Sequence, residues 1–364
     1  MRRPALSVLI DTYNHERYIE QAIVSAIEQD FPASEYEILV VDDGSTDRTP
    51  EIVRKFAPRV RLLSKKNGGQ ASAFNAGIPE TRGEIVAFLD GDDWFAPGKI
   101  SAVMQGLEEH PEIAGVGHGH YEFQEKAQSV KIYSPPSAIC ASLATAENAR
   151  NAQSAWRSLL MGALTIRKDL VQRVLPIPEA LTFCADTPIQ MLALAHGAII
   201  LQEPLFYYRR HDTNLYSNAA FSADTKGLHR KLDVHRLALQ EGLRVLLEQG
   251  VAPESARQLI CPALVDDRRM KILLLGGSRM DTLRTEIRSL DLERSNSSPA
   301  YHAFKCAILS AAALSVPPRS FYRIRNRRLL SRFWYHFLDV TYTLRHVIGL
   351  NRRRATGSGA KAAN

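Results

Sequence analysis

In the first hundred residues short apolar runs alternate with amphipathic segments, and this alternation limits the possible folds more than any other feature of the chain. The runs are Leu6-Ser7-Val8-Leu9-Ile10, Glu37-Ile38-Leu39-Val40-Val41, Val60-Arg61-Leu62-Leu63 and Ile85-Val86-Ala87-Phe88-Leu89. Residues 18–29, 47–56 and 70–76 lie between them with apolar positions at helical spacing, and Ser45 or Thr46 is placed to cap the second helix. Strands this short and this apolar need cover on both faces, which predicts an α/β fold with a parallel sheet between helices. Such sheets bind ligands at the carboxyl ends of their strands. Three polar clusters fall at those ends: Asp11-Thr12-Tyr13-Asn14, Asp42-Asp43-Gly44-Ser45 and Asp90-Gly91-Asp92-Asp93.

The pattern changes further along. Residues 116–133 read as strand, Ser134-Pro135-Pro136 as a loop, 141–160 as helix, 163–166 as strand, 187–196 as helix and 199–201 as strand. From about residue 222 only helical spacing remains, over 228–249, 254–275, 280–290 and, with breaks, 300–350. The expected organisation is a sheet domain over 1–221, with halves 1–115 and 116–221, and a helical region over 222–354. A small polar tail, 355–364, is expected to be disordered. With 45% hydrophobic and 23% charged residues, the chain has the composition of a globular protein with a core. Its four cysteines form no CxxC pair, so neither a zinc ribbon nor a disulfide framework is indicated, and a reducing cytoplasmic location fits. The apolar run at residues 5–10 is cut by Asp11 and is too short for a signal peptide. The stretch 306–316 is far below the roughly 20 apolar residues that span a bilayer.

The acidic clusters carry the chemistry. Three carboxylates in Asp90-Gly91-Asp92-Asp93 repel one another unless a cation sits among them. Oxygen ligands suit magnesium or manganese, which keep waters and hold substrate phosphates. On these four residues alone, a solvated turn capping the helix near Pro97 is an equal alternative. Asp43, at a second strand end, is placed to accept the N–H of a nucleobase, although a helix start explains the same cluster.

Residues 6–14, 40–47, 67–77 and 89–94 together resemble the family 2 glycosyltransferases of the GT-A fold, a Rossmann-like, mostly parallel sheet flanked by helices; here an α-helical C-terminal region is added. The resemblance is close over roughly the first hundred residues and continues weakly to about 215. It implies an inverting transfer of sugar from a nucleoside diphosphate, a UDP-sugar above all, to a hydroxyl of a glycan or glycolipid. It places Thr12 and Tyr13 against the base, Asp43 on the base, and Asp90 and Asp92 near ribose and metal. Asp92 or Asp93 is then the direct ligand of Mn2+ or Mg2+. Lys66, Gly69 and Asn75 fall in the nucleotide-sugar segment, where the backbone of residues 67–70 can approach phosphate. Asp11 stands where the family often has proline, and Phe74 where it usually has arginine; Lys65 or Lys66 is the expected substitute cation. Cys184-Ala185-Asp186-Thr187-Pro188 resembles the family's acidic pair before a helix, with Ala185 in the first acid's place, so Asp186 is the expected general base. The alternative is an N-cap for the helix that Pro188 begins. Tyr208-Arg209-Arg210-His211 resembles the family's Tyr-Arg-x-His segment, which would turn Arg209 and His211 toward the diphosphate or metal. Trp94 is expected beneath the sugar or in the core. His118 and His120 share one strand face, which makes a metal pair conceivable but a core position far commoner.

The net charge is +7, and its C-terminal part is concentrated in Arg319, Arg323, Arg325, Arg327, Arg328, Arg332, Arg345, Arg352, Arg353 and Arg354 among aromatic residues such as Phe333 and Trp334. Helices of this kind suit an anionic membrane face, and no nucleic-acid motif accompanies them. The expected setting is the cytoplasm, peripheral to the inner membrane face, with a glycan or lipid-linked acceptor. Two other readings stay open: a nucleotidyltransferase, which would want a glycine-rich loop after the first strand, and an inactive protein that binds nucleotide sugar or a partner.

Overall fold

The structure is a computed structural model that describes residues 4–143, 146–212, 214, 225–293 and 299–325. Its first half follows the alternation. Strands β1 (Leu6–Thr12), β2 (Tyr36–Asp42), β3 (Val60–Ser64) and β4 (Ile85–Asp90) lie parallel in the order β3-β2-β1-β4. Successive side chains point to opposite faces, so each strand feeds two cores. Val8, Ile10, Ile38, Val40 and Leu89 pack with Ile19 and Ile23 of α1 (Ile19–Ile27). Leu9, Leu39, Val41, Val86 and Phe88 pack with Phe74 and Ile78 of α3 (Gln70–Glu80). A Cβ at Gly77 would come within 2.6 Å of the Val41 side chain, so glycine there lets α3 settle onto the sheet. Helix α2 (Thr49–Arg54) starts two residues later than expected. Its N-cap position is Arg48, without a side-chain cap, while Asp47 one residue earlier accepts the Thr49 amide through Oδ1 at 2.9 Å. Ser45 and Thr46 instead bind Asn14, stitching the loop after β2 to the loop after β1.

The sheet continues through β4-β9-β6-β10-β5 and becomes mixed. Here β9 (Thr165–Arg167) is antiparallel to β4 and β6 (Gly115–Gln124), while β6 and β10 (Ala198–Arg210) are parallel. The last of this series, β5 (Trp94–Phe95), and two short strands, β7 (Ser129–Tyr133) and β8 (Ile139–Ala141), add antiparallel edges. The strand expected at 199–201 thus runs to Arg210, because Tyr207–Arg210 pair with β6 beyond a register shift and Phe206 and Tyr207 with β5. Helices α4 (Lys99–Glu109), α5 (Ala146–Ser158), α6 (Lys168–Val171) and α7 (Thr187–His196) complete the layer.

Among the described residues five helices follow: α8 (Thr225–Glu248), α9 (Pro253–Leu275), α10 (Arg279–Glu293), α11 (Pro299–Ser315) and α12 (Pro318–Arg325). Val234, Ala238, Leu239 and Leu246 of α8 and Leu259 and Ile260 of α9 join the same core as α3 and α7. Farther out, Arg269 meets Glu286 as a two-pronged fork, both bonds 2.9 Å, pinning α9 to α10. Among the described residues no helix is long and apolar enough to cross a membrane. The expected boundary near 222 and the arginines and aromatics from Arg327 to Arg354, with the tail after them, lie outside the described residues.

Candidate active site

The carboxyl ends of β1, β2 and β4 open into a cleft of about 800 Å³. Its wall on that side carries Asp11, Thr12, Tyr13, Asp43, Asp90, Asp92 and Asp93. Register brings them together: Asp11 lies beside Asp90 across the parallel pair, and Thr12 beside Asp42. A Cβ at Gly91 would meet Thr12 Oγ1 at 2.6 Å and His15 Nδ1 at 2.9 Å, so the turn after β4 can close on the first loop only with glycine there.

Asp43 is buried and its carboxylate is heavily engaged. It accepts Lys65 Nζ at 2.6 Å, the Gly68 amide at 3.1 Å and the Gly69 amide at 2.7 Å. Lys65 is therefore a partner of Asp43 and not a spare phosphate cation. Gly69 is needed twice over. Its φ of +84° is in the left-handed region, and a Cβ would lie 2.9 Å from Thr182 Cα. Gln70 ties this loop to the opposite wall: its amide donates to Thr182 O, its Oε1 accepts the Ala185 amide at 3.2 Å, and its Nε2 donates to Asp90 at 3.4 Å.

The carboxylates differ sharply in electrostatics. Burial, with Asp11 and Asp93 close by, holds Asp90 well above the usual carboxylate range. Burial likewise lifts Asp11 to about 7, while a hydrogen bond with Asp90 partly offsets it. Asp93 is raised by burial and by Asp92; its Oδ1 accepts the Arg209 amide at 2.7 Å, and its Oδ2 is buried without a partner. Burial pushes Asp92 upward too, but His15 and His211 outweigh it and hold Asp92 below its ordinary value. His211 Nε2 lies 2.9 Å from Asp92 Oδ2, and Asn214 Nδ2 donates to the same oxygen at 3.1 Å. Asp92 is thus the most readily ionised carboxyl of the cluster.

Asp186 lies across the cleft, directly before α7. It makes no capping hydrogen bond to that helix; its Oδ2 accepts Gln190 Nε2 at 2.7 Å. Gln190 is itself fixed, because it also donates to Leu159 O and accepts Trp156 Nε1–H, each at 2.7 Å. Burial raises Asp186 to about 6, close to the value that suits a general base at neutral pH. Cys184, two residues earlier, holds φ of +57°, a strained conformation for a side chain of its size, in the turn that presents Asp186.

Several expected site residues sit elsewhere. Lys66 is exposed and does not line the cleft. Asn75 clamps Ile177 through both its amide atoms, each bond 2.7 Å. Arg209 turns its guanidinium away from the cleft: Nε donates to Asp92 O, one terminal nitrogen donates to Gln21, and the group stacks on Trp94 at 4.4 Å and Tyr18 at 4.8 Å. Trp94 stacks on Tyr207 at 4.7 Å, outside the cleft. Phe74 is fully buried against Phe88, so an arginine has no place there. His118 and His120 share a strand face as expected but lie in the core, His118 edge-on to Phe206 and His120 stacked on Tyr133. Residue patterns did not single out His15, Gln70, Gln190 or Asn214, nor the face of α8 that enters the cleft with Gly227, Arg230, Lys231, His235 and Leu239. The four-residue spacing from Gly227 to Leu239 marks one helix face in the sequence but not what that face meets.

Among the described residues no three His, Cys, Asp or Glu side chains form a metal cage by themselves. The donor set nonetheless fits a cation that takes one or two carboxylates and completes its shell with phosphate and water. Asp92 is held ionised, and buried Asp11 Oδ1 and Asp93 Oδ2 lack partners.

Residues 7–161 match the model of Glycosyl transferase family 2. Over 221 residues the chain is 33% identical to an uncharacterized glycosyltransferase of Nostoc sp., covering 59% of this chain and 67% of that one. It is 31% identical over 229 residues to the uncharacterized glycosyltransferase EpsJ of Bacillus subtilis, covering 58% and 63%, so the chain spans about two-thirds of these relatives. Residues 1–349 of TarS from Staphylococcus aureus, solved with UDP-GlcNAc, superpose with a TM-score of 0.58 over 85% of this chain and 90% of that one; at 19% identity, this shows the shared fold.

Proposed function

The chain belongs to glycosyltransferase family 2, and from that premise we propose that it moves a sugar from a nucleoside diphosphate, UDP above all, to an acceptor hydroxyl with inversion. One observation carries the reading: Asp186, pinned through one oxygen and raised to about 6, faces the same cleft as the ionised Asp92. UDP is favoured because the TarS structure of the same fold was solved with UDP-GlcNAc.

Tyr13 and Thr12 form the wall that meets the base, with Asp43 behind them ordering the loop from Lys65 to Gly69. That loop and Gln70 border the diphosphate and sugar. Asp92 and Asp93 are the residues that would hold Mn2+ or Mg2+, with His211 and Asn214 orienting Asp92. Such an ion, when bound, neutralises charge on the departing diphosphate. In the transfer Asp186 takes the acceptor hydroxyl proton on the oxygen that Gln190 does not hold. The acceptor oxygen bonds to the anomeric carbon, and the bond from that carbon to the phosphate oxygen breaks with its electron pair on the nucleoside diphosphate. Gln190 keeps Asp186 aimed. Arg209 acts one layer back, tying β10 to the acidic turn through its amide on Asp93 and its Nε on Asp92 O. The arginine-rich segment from Arg319 onward suits association with the inner membrane face, where lipid-linked acceptors are carried.

The test is product analysis with UDP-sugars, Mn2+ and candidate acceptors. Release of UDP, dependent on Asp186, supports the reading; release of sugar 1-phosphate indicates nucleotidyl transfer, and binding without release an inactive binder.

A further inference from the structure

Helix α8 contributes a cationic wall to the cleft. Gly227, Lys231, His235 and Leu239 all line it, four residues apart, and Arg230 stands beside them. Four residues of helix rise about 6 Å, so the stripe runs roughly 18 Å along the opening. Lys231 keeps only 4% of its surface exposed, yet it faces the cleft. His235 is tethered to buried Asp267 of α9 at 3.2 Å. Arg157, at the end of α5, lines the same cleft.

The stripe belongs to the base side of the cleft. Helix α8 crosses α7 where a Cβ on Gly242 would meet Met191 at 2.9 Å and Thr187, the residue after Asp186, at 3.3 Å. The ammonium of Lys231 acts electrostatically on Cys184, in the turn that presents Asp186. The donor side is built from other elements, the ends of β1, β2 and β4 and the loop at 67–70. A neutral sugar acceptor gains little from cations on this wall of the cleft, whereas an anion is drawn toward such a wall and held by charge-assisted hydrogen bonds.

We propose that the acceptor carries a phosphate close to its reactive hydroxyl, and that Lys231, Arg230 and Arg157 bind this phosphate while Asp186 faces the hydroxyl. The inference rests on the reading of Asp186 as the base of a glycosyl transfer. The phosphate takes no covalent part; it positions the hydroxyl and sets acceptor class.

The test is calorimetric titration of the full chain, loaded with UDP and Mn2+, using sn-glycerol 3-phosphate, glycerol and inorganic phosphate. The expected result is glycerol 3-phosphate binding at least tenfold more tightly than glycerol and more tightly than inorganic phosphate. Lys231→Gln should shrink the preference over glycerol below threefold with UDP affinity within twofold, and Lys231→Arg should restore most of it. Arg230→Gln, an exposed position that leaves folding intact, should weaken glycerol 3-phosphate three- to tenfold. Equal binding of glycerol and its phosphate overturns the proposal, as does inorganic phosphate that matches glycerol 3-phosphate. Loss of UDP affinity in Lys231→Gln also overturns it, by placing that cation on the donor. A chain that binds glycerol 3-phosphate but not UDP keeps this site and loses the donor reading. A chain that binds UDP but does not discriminate loses only this site.

Discussion

The two walls of the cleft are built on different principles. The strand-end wall gathers carboxylates from three neighbouring parallel strands, so its residues are far apart in sequence yet fixed to one another by register. The α8 wall is a single helix face, whose residues are close in sequence but owe their place to the packing of α8 on α7. A sheet edge therefore gives a site that tolerates little change, while a docked helix gives one that can change its charge without disturbing the fold. On this view the strand-end wall fixes the reaction and the helix wall selects the acceptor.

Substitutions sharpen that contrast. The largest effect is expected for Asp186→Asn: kcat should fall about 10²–10⁴-fold while nucleotide affinity stays within a few-fold, read by steady-state kinetics and calorimetry. Because burial lifts the folded pKa of Asp186 from 3.8 to about 6, keeping it charged weakens the native state as pH rises through that window, and the penalty is full above it. Asp186→Asn should therefore raise stability at pH 8 by on the order of 1–3 kcal/mol and leave it unchanged near pH 3. An equal loss of activity and stability would break the assignment. Next comes Gly69→Ala, which forces a side chain at φ +84° against Thr182 and should lower stability by more than about 1 kcal/mol. The pH profile of kcat/KM should fall tenfold per unit below about pH 6, where Asp186 becomes protonated, and Gln190→Leu should move that limb upward. The smallest effect belongs to Lys66→Ala, which touches neither wall and should stay within about 0.5 kcal/mol in stability and twofold in KM.

The same contrast explains what the sequence makes legible. Apolar runs of four or five residues declare the parallel strands, and glycine and aspartate at their ends declare the carboxylates, because each signal is local. Asp186 is marked in the sequence only by resemblance to the family's acid before a helix, since Pro188 on its own suits an N-cap equally well. Arg209 is misleading, since its sequence neighbours fit a phosphate site while the extension of β10 to Arg210 turns its guanidinium onto Trp94 and Tyr18. Asn75 misleads in the same way: its partner, Ile177, is a hundred residues distant. Gln190 gives no sign in sequence because its importance lies in three partners, Trp156, Leu159 and Asp186, that only tertiary packing assembles. The α8 stripe has a visible period, but period alone does not say which face meets a cleft.

The central claim is that the strand-end wall binds a nucleoside diphosphate through a cation held by Asp92. The direct measurement is the melting temperature of the protein with UDP, GDP, CDP or dTDP, each with and without Mn2+, repeated with Asp92→Ala. The account predicts a rise with one nucleotide, UDP, that requires Mn2+ and vanishes in Asp92→Ala. No rise with any of the four, or a rise that Asp92→Ala leaves intact, would contradict it.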